Sequence, residues 1–183
     1  MADVRSERTL AALRAAIVEL AAEHPLSAVT VSDVAVRAGI NRATFYSHFH
    51  SPGELLTDVL RADLDGVRFR DEGTLSSEQI FRVALIGVAE HVQQFREIYR
   101  LALADPRDNT THHILVQHFD ESITGRLSRS ESSFPDLEIT IASRFLAHGL
   151  VGGIEAWLEH ETVTQEELIE SLFMSAPPWW FQP

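Results

Sequence analysis

From about Ser6 to His24, apolar side chains recur at three- and four-residue steps (Leu10, Leu13, Ile17, Leu20, Ala21), the spacing of one buried stripe on a helix, and Pro25 closes the segment. Thr30 precedes Asp33 by three positions, a capping-box pattern that opens a short helix ended by Gly39. Asn41 caps a second short helix, Arg42 to about His48. Ser51, Pro52 and Glu54 supply an N-cap, a proline at the first helical position and an acid at the third, so another helix starts there and runs to about Arg70. Ser76 with Gln79 starts a helix to about Phe95, apolar positions continue from Arg96 to Ala104, and Asp105 and Pro106 interrupt them. Asn109 to about Ser128 reads as helix and Ser132, Ser133, Phe134 and Pro135 as a loop. Asp136 to about His160 is the longest apolar helix, and Thr164 to about Met174 is the last. No stretch alternates with period two for long enough to predict a sheet, and no repeat is present. The fold class is all-α, with about nine helices.

The two short helices, TVSDVAVRAGI and NRATFYSHF, meet at a glycine turn, the arrangement of a helix-turn-helix, in which the first helix braces a second that enters a DNA major groove. Val31, Val34, Ala35, Ile40, Phe45 and Phe49 fall where a three-helix core needs apolar groups. Arg42, Ala43, Thr44, Ser47 and His48 fall on the outer side, small or hydrogen-bonding groups that let a helix backbone approach base edges. The hydroxyls of Tyr46 and Thr30 suit phosphate oxygens, as do the free amides at the start of the helix after Thr30. The assignment is therefore Arg42 and Thr44 to base edges, Ala43 to close approach or a thymine methyl, and Thr30, Tyr46, Ser47 and His48 to phosphates.

The block from Leu26 to Leu56, LSAVTVSDVAVRAGINRATFYSHFHSPGELL, resembles the TetR family of one-component transcriptional regulators in its TVSD start, AG turn, TFYSHF helix and following S-x-x-E-L. A later segment, FLAHGLVGGIEAWLE, is similar to that family's penultimate helix. The resemblance implies a helix-turn-helix DNA-binding domain over residues 1–50 and an effector-binding and dimerisation domain over 51–183. It further implies a homodimer on palindromic operator DNA, released by a small-molecule effector. In the family the residue after Ser51 is often a lysine that touches phosphate; this chain has Pro52 there.

Charge refines the picture. All 15 basic residues are arginine against 27 acids; residues 1–50 are formally neutral, and the whole deficit of 12 charges lies beyond them. A polyanion can approach only the first part, and without a strongly basic patch its binding should depend only modestly on salt. The absence of cysteine excludes a disulfide framework and thiolate chemistry and predicts a reducing, cytoplasmic setting. The N-terminal 24 residues lack a signal-peptide pattern, and no window reaches the length of a membrane span, so no membrane partner is expected.

Between Glu138 and Glu155 the only charge is Arg144, so that helix needs cover on more than one side. Its own domain can cover one face, and the family resemblance implies that a second copy covers the other, through Phe145, Gly149, Gly152, Gly153 and Trp157 together with Leu172 and Phe173 of the last helix; a monomeric bundle is the alternative. His91, Phe95, Tyr99, His118 and Phe119 mix aromatic surface with polar tips and are the candidate lining of a pocket for an apolar or aromatic effector. His112, His113 and His118 share one helix at spacings poor for a metal, so no metal site is assigned. No phosphate-binding glycine loop and no nucleophile elbow occur, so neither an enzyme nor a cofactor is expected. The competing reading is a helical small-molecule-binding module or metal-dependent enzyme whose N-terminal helices merely cap its core. The tail APPWWFQP is expected to be non-helical, with its aromatics packed on the body or at the dimer seam.

Overall fold

The computed structural model describes residues 2–67, 75–129, 138–160 and 162–181, with side chains from residue 6 onward. Among them there are nine α-helices and no strand: α1 (Ala2–Glu23), α2 (Val31–Arg37), α3 (Arg42–Tyr46), α4 (Pro52–Leu64), α5 (Ser77–Gln94), α6 (Arg96–Ala104), α7 (Thr110–Arg129), α8 (Ile139–Glu159) and α9 (Gln165–Ser175). The expected end of α4 near Arg70 and the Ser132–Pro135 loop lie outside the described residues, as does Asp136 at the expected start of α8.

Helix starts follow local side-chain chemistry. Thr30 and Thr164 each close a full capping box, with Asp33 and Glu167, and Asn41 caps α3 by accepting from the Thr44 amide. Ser76 and Gln79 exchange hydrogen bonds at the start of α5. At the end of α2 the Gly39 amide donates to the Val36 carbonyl and the Ile40 amide to that of Ala35, a Schellman pair that needs the left-handed φ of +67° found at Gly39.

The chain folds into two compact units. One contains Met1–Ala62 and Phe95–Thr111; the other contains Asp63–Gln94 and His112–Pro183. The first unit buries Leu13, Ile17 and Leu20 of α1, Val34 of α2, Phe45 and Phe49, Leu55, Leu56 and Leu60 of α4, and Ile98 and Tyr99 of α6. Each such side chain withdrawn from water stabilises the unit by about 1.5–3 kcal/mol. Helix α6 packs along α1, and a polar latch accompanies it. The Ser27 hydroxyl donates to Asp105 Oδ2 at 2.5 Å, while Arg107 Nε donates to Oδ1 at 3.0 Å. The Arg107 guanidinium first, and then the Ser27 hydroxyl, hold the Asp105 carboxyl well below the usual carboxylate range. The latch pins the 3-10 turn Leu26–Ala28 that leads into Thr30 and α2.

The second unit packs α5 against α9 and α8 against α9, with Phe81, Val88, Phe119, Ile123, Val151, Ile154 and Leu172 inside. Its C-terminal tail departs from the sequence expectation. Pro178–Phe181 forms one 3-10 turn, because proline is tolerated at the first position of a helical turn and the Trp180 amide still finds the Pro177 carbonyl at 2.9 Å. Trp180 is buried, and the Arg126 guanidinium donates to its carbonyl at 3.1 Å and lies 5.0 Å from its ring. No helix among the described residues is long and apolar enough to cross a membrane.

Candidate nucleic-acid interface and ligand cavity

Helix α3 shows two different faces. Phe45 points inward with 0% exposure, its ring edge-on to Tyr46 at 5.7 Å and tilted against Phe49 at 6.3 Å. Tyr46, next in the chain, is 50% exposed. Arg42, Ala43, Tyr46 and Ser47 are all exposed, and their i, i+1, i+4, i+5 spacing puts them on one side of the helix; Thr44 and His48 flank them half-buried.

Arg37 is tied to Glu19 at 2.9 Å and to Glu23 at 3.3 Å, and Arg14 to Asp58 at 2.8 Å, so these cations are already neutralised within the unit. Arg42 makes no hydrogen bond or ion pair with any described residue. Its charge is free to meet an anion.

The hydroxyls expected at phosphates are differently placed. Thr30 Oγ1 accepts from the Asp33 amide at 3.2 Å and donates to the Asp33 carboxylate at 2.6 Å, and that carboxylate also takes the Thr30 amide at 2.9 Å. These bonds hold Asp33 below its ordinary acidity range, so a fixed negative charge sits where the sequence reading put an anion. Thr30 is the cap of α2, with its hydroxyl proton engaged. Thr44 donates its amide and its hydroxyl to Asn41 Oδ1, at 2.8 and 3.1 Å, and Ser47 donates to the Thr44 carbonyl at 2.7 Å. At the head of α4, Ser51 Oγ accepts from the Glu54 amide and the Glu54 carboxylate takes the His50 amide at 2.7 Å, while Pro52, as a proline, has no N–H to offer a phosphate.

The five residues expected to line an effector pocket are divided between the two units. Phe95 and Tyr99 are buried in the first unit. His91 is buried in the second, its Nδ1 2.6 Å from the Asp63 carboxylate, and burial outweighs that carboxylate in pushing the imidazole below its ordinary value. Phe119 is fully buried, with the half-buried His118 ring 5.8 Å away. None of the five borders the second unit's cavity of about 360 Å³, which lies between α8, α9 and the tail and is lined by Phe81, Ile123, Phe145, Leu146, Gly149, Leu150, Gly153, Ser171, Leu172, Ser175, Ala176, Pro177 and Trp180. The sequence signal available for it was the coincidence of glycines in α8 with an aromatic tail, but only folding brings the two together.

The residues assigned to a dimer seam divide into two groups. Phe145 is 77% exposed, and Gly149 and Gly152 are exposed with open space where a Cβ would stand; Ile141 and Met174 are exposed as well. The others serve their own unit. A Cβ on Gly153 would stand 2.5 Å from Leu172 Cδ2, so that glycine lets α8 approach α9. The Trp157 indole donates to the Val163 carbonyl at 2.9 Å, and Phe173 stacks on Phe181 at 4.8 Å beneath the Arg82 guanidinium. His112 pairs with Glu155 at 2.6 Å and sits against the His148 ring, and the described residues contain no group of three or more metal-ligating side chains.

Two family models match the chain. One, described as "Bacterial regulatory proteins, tetR family", covers residues 13–59, and the other, "Transcriptional regulator C-terminal region", covers residues 83–176. The fold is shared with a TetR transcriptional regulator from Streptococcus agalactiae, at a TM-score of 0.69 and 22% identity over 94% of this chain and 95% of that one. A TetR-family regulator from Syntrophomonas wolfei gives 0.69 and 12% identity over 95% and 93%. NalD of Pseudomonas aeruginosa, the secondary repressor of the MexAB-OprM multidrug efflux pump, gives 0.59 and 23% identity over 92% and 96%. No curated protein matches the sequence.

Proposed function

Because the chain belongs to the TetR family of transcriptional regulators, we propose that it is a homodimeric repressor that occupies a palindromic operator and leaves it when a small, uncharged effector binds. The observation that carries this reading is the exposed, unpaired Arg42 beside Ala43, Tyr46 and Ser47 on a helix held from behind by buried Phe45 and Phe49. In this reading Arg42 and Thr44 read base edges, and Ala43 lets the backbone approach. Tyr46, Ser47 and His48 hold phosphates, the two serine and threonine hydroxyls giving up their helix carbonyl or Asn41 partner on docking. Thr30 acts by capping α2. A second copy covers Ile141, Phe145, Gly149 and Gly152, and reading a palindrome then requires the two α3 helices to lie about 34 Å apart. The family consists of transcription factors, which favours this reading over a metal-dependent enzyme.

The test is a titration of the DNA flanking its own coding region at several salt concentrations. Specific binding is expected, with a log–log salt slope well short of the roughly −10 of a strongly phosphate-anchored repressor, because the head is neutral and Pro52 makes no phosphate contact. Binding with no preference over unrelated DNA at low salt would overturn the regulator reading; a slope near −10 would overturn the claim of few phosphate contacts.

A further inference from the structure

We infer that His50, held by Glu54, is a proton-gated contact to DNA phosphate, closed while its ring is neutral and opened when the ring is protonated. The inference rests on the DNA-binding reading above and adds to it a residue and a pH response. Helix α3 has 5 residues, about 7.5 Å at about 1.5 Å per residue, against a major groove about 12 Å wide. A duplex that takes α3 into its groove therefore runs one sugar–phosphate strand past the C-terminal end of the helix. The chain there turns Phe49 into the core and the next side chain, His50, outward with 89% exposure. The chain contains no lysine to meet that strand, and Arg14 and Arg37 are already paired with Asp58, Glu19 and Glu23.

Glu54 decides what His50 can offer. Its carboxylate takes the His50 amide at 2.7 Å and lies 3.0 Å from Nδ1, so in the neutral ring Nδ1 carries the proton and Nε2 presents a lone pair. A lone pair and a carboxylate both repel a phosphate oxygen. The His50 amide, ahead of its ring, holds the Glu54 carboxyl below its ordinary range, so the carboxylate stays charged where histidines exchange their proton, between about pH 5 and 8. Protonation then changes two things together. The pair passes from one negative charge to none, and Nε2 becomes an N–H donor on the side of the ring away from the carboxylate. Among the described residues, Arg42 and Tyr46 of α3, His48 of the connecting turn, and Asp58 of α4 with its partner Arg14 make no hydrogen bond or ion pair with this ring, which leaves Glu54 as its partner.

The test is an anisotropy titration of the full chain with two labelled duplexes, the DNA flanking its own coding region and an unrelated sequence, at pH 6 and pH 8 over a series of salt concentrations. A phosphate contact must act on both duplexes. The wild type is expected to bind each roughly threefold more tightly per subunit at pH 6, with a log–log salt slope steeper by about 0.9 per subunit. In His50→Gln the steepening is lost and the gain falls by that factor, while any response from His24 or His48 stays as background. His50→Lys is expected to bind at pH 8 as the wild type does at pH 6. Glu54→Gln removes the gate, because its amide can donate to Nδ1, move the neutral proton to Nε2 and make the ring a donor at pH 8; its pH response should shrink to about half or less. Equal pH responses in the wild type and His50→Gln, a slope that does not steepen at pH 6, or a His50→Lys protein no tighter at pH 8 overturns the proposal. Urea midpoints are read at both pH values, and a response that vanishes once affinities are corrected for the folded fraction also overturns it, because His50 would then only steady the start of α4. Preference for the flanking DNA is scored separately: its absence beside a His50-dependent proton response counts against the regulator reading alone, and no binding to either duplex at any salt overturns both.

Discussion

Replacing Gly39 by alanine isolates a single backbone requirement at the point where α2 hands over to α3. The residue sits at φ +67°, and a Cβ built there meets nothing within 4 Å, so the substitution introduces no clash and its effect is conformational. An L-residue in the left-handed region costs about 1–2 kcal/mol, and the stiffer unfolded chain of alanine returns about 0.4–1 kcal/mol, leaving a net loss near 1 kcal/mol. The strain falls on the two bonds that the turn closes, Gly39 amide to Val36 carbonyl at 3.1 Å and Ile40 amide to Ala35 carbonyl at 2.9 Å. Hydrogen exchange of the Ile40 amide should accelerate about fivefold in Gly39→Ala, with a matching loss in the urea midpoint of helical circular dichroism. Gly39→Asn should lose less, since asparagine tolerates this region better than alanine does. Tryptophan fluorescence is the wrong probe here, as Trp157, Trp179 and Trp180 all lie in the other unit. A Gly39→Ala protein as stable as the wild type, or an Asn variant no better than Ala, would refute the claim that backbone conformation and not space selects glycine at this turn.

Two further outcomes follow from the same geometry. Arg42→Ala is expected to relax sequence preference at one base pair by about 1–3 kcal/mol, and Tyr46→Phe to weaken all sequences alike; anisotropy titrations against an operator and its single-base variants check this, and specific binding unaltered by both substitutions would sink the docking assignment. Burial, which exceeds the opposing pull of Asp63, lowers the pKa of His91 below its ordinary 6.5. Below that pH the unfolded chain gains a proton that the native one resists, so this contribution is complete above the ordinary value of 6.5 and is lost as the pH falls from there through the lowered native value. The urea midpoint followed by tryptophan fluorescence should drop over that interval in the wild type and less in His91→Gln, and equal slopes in the two proteins would refute the assignment.

What could be read from the sequence was what short-range chemistry decides. Thr30 with Asp33, Asn41 with Thr44, Ser76 with Gln79 and Thr164 with Glu167 each close hydrogen bonds across three residues, so helix starts are written in adjacent letters, and the 3.6-residue period separates inward Phe45 from outward Tyr46 within α3. The motif block from Leu26 to Leu56 carried the family for the same reason, being one continuous local pattern. Tertiary structure decided the rest. The Ser27–Asp105 latch joins positions 78 apart, and α6 takes Phe95 and Tyr99 into the unit that carries the helix-turn-helix. Gly153 is small where α9 passes over it, and Phe173 is held by Phe181 of its own tail. The tail folds back under Arg126 and adds Trp180 to a cavity that Phe145 and Gly149 also line. Such choices depend on which apolar stripes meet across long loops. Burial of apolar area is non-directional and names no partner, so a hydrophobic pattern states that a face will be covered, and packing alone determines by what.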